Sequence, residues 1–178
     1  RKLVVQELTR YQEDIDGGEF NAANRFYTQD DKGNDVRLDE VGSVEIVAER
    51  LNLILHSKNI SIASEHQTKN QNRIDITAAI MIGGKRRLLV IEAKGQWHRE
   101  LYSAAITQLY DRYSVHPDAE KQGIYLVIWF GAYEKVAGRK IHEITSAIEL
   151  KQSIEDTLPI EIKGLIDVFV LDVSKNSY

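Results

Sequence analysis

The chain has 178 residues, 43% hydrophobic content and a formal net charge of −4, with a pI near 5.8: enough apolar material for one core, or one core with an appendage. Absence of cysteine excludes disulfides and thiolate chemistry, and no apolar run reaches the roughly 18 residues of a membrane span. With no signal-peptide pattern either, a cytoplasmic protein without a membrane partner is expected, and a start at Arg1 instead of methionine suggests a piece of a longer polypeptide whose upstream domains would be partners.

In chain order, Lys2 to Asp14 reads as a helix, followed by a polar loop rich in Asn, Asp and Gly from Asp16 to Asn34. Residues 1–34 are thus expected to form an N-terminal appendage and residues 35–178 the main domain. Leu38 to His56 reads as an amphipathic helix, since Val41, Val44, Val47, Ala48, Leu51 and Leu55 fall in one broad stripe. Asp39 or Asp35 is its candidate cap. A strand from Ile60 to Gln67 precedes a hairpin from Arg73 to Lys94 that turns at Gly83-Gly84, a pair suited to a primed turn with positive φ at both positions. Arg99 to Tyr113 reads as a second helix, and Gly123 to Phe130 as a strand buried on both faces. After a loop at Val136 to Lys140 come a helix from His142 to Asp156, a break at Pro159, and a strand from Ile166 to Val173 that extends the sheet.

The hairpin carries the chemistry. If Ile82 opposes Lys85, counting outward sets Asp75 across from Glu92, and the alternation of strand side chains puts Lys94 on the same face. Opposed carboxylates in an antiparallel pair repel, and a hard divalent cation between them would remove that penalty. A diagonal Glu92–Lys94 salt bridge on a solvent face would explain the same letters. Against it, Leu88 to Ile91 is a continuous apolar run of the kind found in central strands covered on both faces.

Asp75 followed after a hairpin by Glu92-Ala93-Lys94 resembles the signature of the PD-(D/E)xK nuclease superfamily, with Ile74 in place of the proline that names it. The resemblance implies a restriction-endonuclease-like α/β fold, with a mixed central β-sheet flanked by helices in the order αβββαβ. It implies a Mg²⁺- or Mn²⁺-dependent nuclease hydrolysing phosphodiester bonds in DNA. Asp75, Glu92 and the Ala93 carbonyl would bind metal, and Lys94 would orient or activate water. A helix glutamate joins the site in many relatives. By angle, Glu40 falls inside the apolar stripe, about 40° from Val44, whereas Glu45 and Glu49 fall about 100° and 140° away; a first-turn acid favoured by the helix dipole is the other account of Glu40. Gln108 resembles the glutamine of RecB-like and phage-exonuclease-like members, although Tyr113 follows one residue later than in those relatives. Arg112, Arg73 and Trp97 are candidate substrate contacts, and Lys85-Arg86-Arg87 with Arg73 and Arg112 a candidate basic patch that would offset the acidic net charge.

The segment Thr107 to Tyr113 with Gly123 to Phe130 is also similar to nuclease domains of large bacterial defence proteins, implying an antiviral effector, with a homo-oligomer possible in that setting. The alternatives are an RNase on the same scaffold and a catalytically silent nuclease-like module that binds nucleic acid or protein.

Overall fold

The computed structural model describes residues 1–67 and 73–175. Helix α1 (Lys2–Asp16) leads through a 3₁₀ segment (Glu19–Phe26) to a small antiparallel hairpin of β1 (Tyr27–Gln29) and β2 (Asp35–Arg37). Helix α2 (Glu40–Leu55) follows, then β3 (Ser61–Gln67), β4 (Arg73–Ile82) and β5 (Lys85–Gly95). A π-helix (Ala105–Tyr113), β6 (Gly123–Trp129), α3 (Ala147–Glu155) and β7 (Ile166–Asp172) complete the chain. Among the described residues no helix is long and apolar enough to cross a membrane.

The main sheet has the order β3-β4-β5-β6-β7. Its first three strands are antiparallel, whereas β6 joins β5 in parallel and β7 joins β6 in parallel. The molecule is therefore α/β with a mixed five-stranded sheet flanked by helices. Gly83 and Gly84 both take positive φ (56° and 77°) at the β4–β5 turn, which sets Ile82 opposite Lys85 and fixes the register out to Ile76–Ile91.

Alternation along the strands divides the core in two. One face of β5 and β6, carrying Ile91, Ala93, Ile124, Leu126 and Ile128, packs on α1 and α2. Leu88, Val90, Tyr125, Val127 and Trp129 point the other way, onto the π-helix and α3. Both strands are therefore apolar on each face, and β6 is buried along its whole length. Val4, Leu8, Tyr11 and Ile15 of α1 sit in the same cluster as α2 and the sheet, so α1 shares the main core.

Three elements differ from their sequence-based expectation. The loop from Asp16 to Asn34 contains the 3₁₀ segment and one strand of the small hairpin, too short to show periodicity. The second helix is confined to Ala105–Tyr113, because residues from His98 onward are held in successive turns, with Leu101 donating to His98 and Ser103 to Glu100. The helix expected from His142 begins at Ala147. Its start is set by Ser146, whose side chain accepts from the Glu149 amide, while Glu149 reaches back to the amide and hydroxyl of Thr145.

Candidate active site

The site forms where β4 and β5 part. Pairing of β4 with β5 runs as far as Ile76–Ile91, yet β4 stays paired with β3 as far as Arg73–Gln67. One step past the last β4–β5 pair the register sets Asp75 beside Glu92, and the β5 amides beyond that point have lost their ladder partner. Carboxylates take them instead. Asp75 Oδ2 accepts from the Ala93 amide at 2.8 Å, and Glu40 Oε2 accepts from the Gly95 amide at 3.1 Å.

Glu40 reaches this position because Asp39 caps α2, accepting from the Gly42 amide at 2.8 Å. The cap places Glu40 in the first turn, directed at the end of β5. Helix dipole and site thus use the same residue. Glu49 is held elsewhere, in an exposed ion pair with Arg25, whereas Glu45, though exposed, lines the cavity described below together with Glu40.

Lys94 stands at the centre. Its Nζ lies 2.7 Å from Glu92 Oε1, 3.5 Å from Glu40 Oε1 and 4.0 Å from Asp75 Oδ2. Glu92 and Lys94 are only 2% and 6% exposed, so this is no surface salt bridge of the kind that contributes little either way. Burying ions is expensive, by several kcal/mol each in order of magnitude. Such an arrangement at a cleft points to function more than to stability.

Electrostatics agree. Burial, then the charge of Asp75, push Glu92 up to about 7 in spite of Lys94. Burial pulls the Lys94 ammonium the other way, but Glu92, Glu40 and Asp75 outweigh it and raise Lys94 above its ordinary value, so the amine stays charged. Tyr113 is also raised, by burial and then by Glu92 and Asp75. Glu92 Oε2 is buried with no hydrogen-bond partner among the described residues.

Glu40, Asp75, Glu92 and Lys94 share the walls of one cavity of about 250 Å³ with Gln108 and Tyr113. A larger hollow of about 460 Å³ between α1 and α3, beside β7, is lined by Lys151, Glu155, Asp156, Lys163 and Asp167, none of them buried. Gln108 and Tyr113 are five residues apart, a spacing that would put them on different sides of an α-helix. In the π-helix, with its i→i+5 bonding such as the Ser114 amide to the Leu109 carbonyl, the wider turn returns them to one side. Gln108 Nε2 donates to Glu100 Oε2 at 2.6 Å, which holds its side chain at the cavity mouth.

Among the described side chains, Trp97 and Arg112 do not line this cavity. Trp97 stacks beneath the Arg37 guanidinium, 3.3 Å from its ring centre, and touches Phe130. Its ring also covers Gly95, where an added Cβ would come within 2.4 Å. Arg112 is exposed beside Tyr113, and the Arg73 side chain lies outside the described residues. Arg86 and Arg87 sit at the opposite end of β5, paired with Asp118 and Glu120, so the expected basic patch with Lys85 is remote from the site. Gln96 is fully buried and ties β5 to the exit of β6. Its side chain accepts from the Phe130 amide and donates to the Gly131 carbonyl.

The donor chemistry suits a hard divalent cation: three carboxylates, one with an unpartnered buried oxygen, beside a cavity. As it stands, no group of three or more His, Asp or Glu side chains among the described residues is arranged to hold a metal ion. Lys94 Nζ lies among these three carboxylates. Searches against protein-family models, curated proteins and solved structures give no match for this chain.

Proposed function

We propose that this chain is a metal-dependent nuclease that hydrolyses phosphodiester bonds in DNA, on a restriction-endonuclease-like fold. The observation that carries the reading is the convergence of Asp75, Glu92, Lys94 and Glu40 where β4 leaves β5. A buried charge cluster at a sheet opening has little structural use, and its residues are those of the PD-(D/E)xK pattern.

Asp75, Glu92 and Glu40 would hold Mg²⁺ or Mn²⁺, with the Ala93 carbonyl as a further ligand. The bound ion would polarise water and stabilise the leaving oxygen of the phosphodiester. Lys94 neutralises charge that develops on the phosphate oxygens. Gln108 and Tyr113 face the same cavity and orient the substrate strand. The acidic net charge implies weak intrinsic affinity for nucleic acid, which fits an effector domain delivered to DNA by other parts of a larger defence protein.

The test is cleavage of supercoiled plasmid and of a structured RNA in parallel, with Mg²⁺, with Mn²⁺ and with EDTA. Metal-dependent nicking of the plasmid supports the reading. Cleavage of RNA alone would reassign the substrate, and binding of either without cleavage would make the chain a silent nuclease-like module.

A further inference from the structure

The three acids of the site already hold a cation, and it is covalently part of the chain. Lys94 Nζ contacts one oxygen of each, at 2.7 Å (Glu92), 3.5 Å (Glu40) and 4.0 Å (Asp75). The two flanking acids are fixed in this arrangement by β5 itself, through the Ala93 and Gly95 amides on either side of the lysine. With all three acids ionised, three negative charges and one positive charge make these four side chains alone sum to a formal −2. A divalent ion and the ammonium together would neutralise the three acids.

They cannot occupy the same place. Small hard cations take oxygen ligands at about 2.0–2.1 Å, so the acids must close in on ground that the ammonium now fills. Glu92 Oε2, buried and unpartnered, is the oxygen already available. Lysine has a flexible four-carbon stem, and the cavity of about 250 Å³ lined by Gln108 and Tyr113 adjoins it.

On the metal-dependent reading above, we propose that Lys94 is the resident counter-ion of the empty site and is exchanged for the divalent ion. On exchange its ammonium leaves Glu92 Oε1 and turns into the cavity where the substrate phosphate would lie. Lys94 would thus be presented to substrate only after the acids have taken their metal, an order of assembly built into one strand.

Two measurements test this without recourse to activity. In the first, Mg²⁺ binding to the full chain is followed by calorimetry for the wild type and for Lys94→Met, which keeps a stem of similar length without the charge. The variant is expected to bind more tightly, by about ten-fold or more, the scale on which one nearby like charge acts in a partly buried site. Equal or weaker binding by the variant would overturn the exchange. The second measurement needs no substitution: acylation of Lys94 by an amine-reactive reagent is read by mass spectrometry with and without Mg²⁺. Faster labelling of Lys94 with Mg²⁺ is expected, because the amine moves from a buried ion pair to an open cavity. Unchanged or slower labelling, with calorimetry showing Mg²⁺ bound, would overturn the inference while leaving the metal site standing. Absence of any Mg²⁺ or Mn²⁺ binding in both proteins would overturn the metal-dependent reading itself.

Discussion

Asp75 accepts the Ala93 amide at the point where β4 no longer pairs with β5. The carboxylate therefore has two duties that substitution separates, closing the backbone and contributing charge to the site. Asp75→Asn keeps a carbonyl oxygen for the amide and removes repulsion with Glu92. Its metal-free melting temperature should stay near that of the wild type while Mg²⁺ affinity drops. Asp75→Ala leaves a buried N–H without its acceptor and should lose about 1–3 kcal/mol. Urea unfolding in EDTA would separate the two, and equal large losses would mean that the charge itself is structural.

Glu40 and Glu49 belong to the same helix but not to the same surroundings. Glu40→Gln should lower the cleavage rate at subsaturating Mg²⁺ by on the order of ten-fold, about 1.4 kcal/mol of lost stabilisation. Glu49→Gln, which disturbs only the exposed pair with Arg25, should change it little. Initial rates across a Mg²⁺ titration check the ranking, and a larger effect at Glu49 would contradict the site as drawn.

Glu92 gives a pH dependence whose sign is fixed. Its carboxyl is raised from 4.5 to about 7 in the fold, so between those values the native state retains a proton that the unfolded chain releases. Stability from this group is complete below about pH 4.5 and is lost as pH rises through 7, on the order of 3 kcal/mol in all. Denaturant unfolding of the metal-free protein should show the decline, and Glu92→Gln should flatten it. A wild-type profile that rises over the same window would mean that Glu92 is ionised in the fold.

Gly95 and Trp97 form a steric pair. Gly95→Ala drives a methyl group into the indole ring and should destabilise by about 1–3 kcal/mol. In a Trp97→Ala background the same change should be nearly neutral, a coupling that a double-mutant cycle measures directly. Additive losses would show that the strain at residue 95 lies elsewhere.

How much of this was legible in the sequence follows from how local each determinant is. The glycine turn fixed the hairpin register, and alternation along β5 then put Asp75, Glu92 and Lys94 together, because a strand has only two faces. Glu40 followed from the helical period. Gln108 was legible as a residue but its partnership with Tyr113 was not, since it depends on i→i+5 bonding that no 3.6-residue period reveals. The contact of Trp97 with Arg37 and the tie made by Gln96 join segments distant in sequence, and neither has a periodic signature. The start of α3 did carry one, Ser146 followed three residues later by Glu149, and the expectation of a helix from His142 passed over it.

Plasmid cleavage by Lys94→Ala, with folding verified by circular dichroism, tests the central claim most directly. Lys94 is the one cation in contact with all three carboxylates among the described residues. The account predicts Mg²⁺-dependent nicking by the wild type and a loss of at least about a hundred-fold in the variant, as expected when a group stabilising charge in the transition state is removed. Wild-type turnover in a folded Lys94→Ala protein would contradict it.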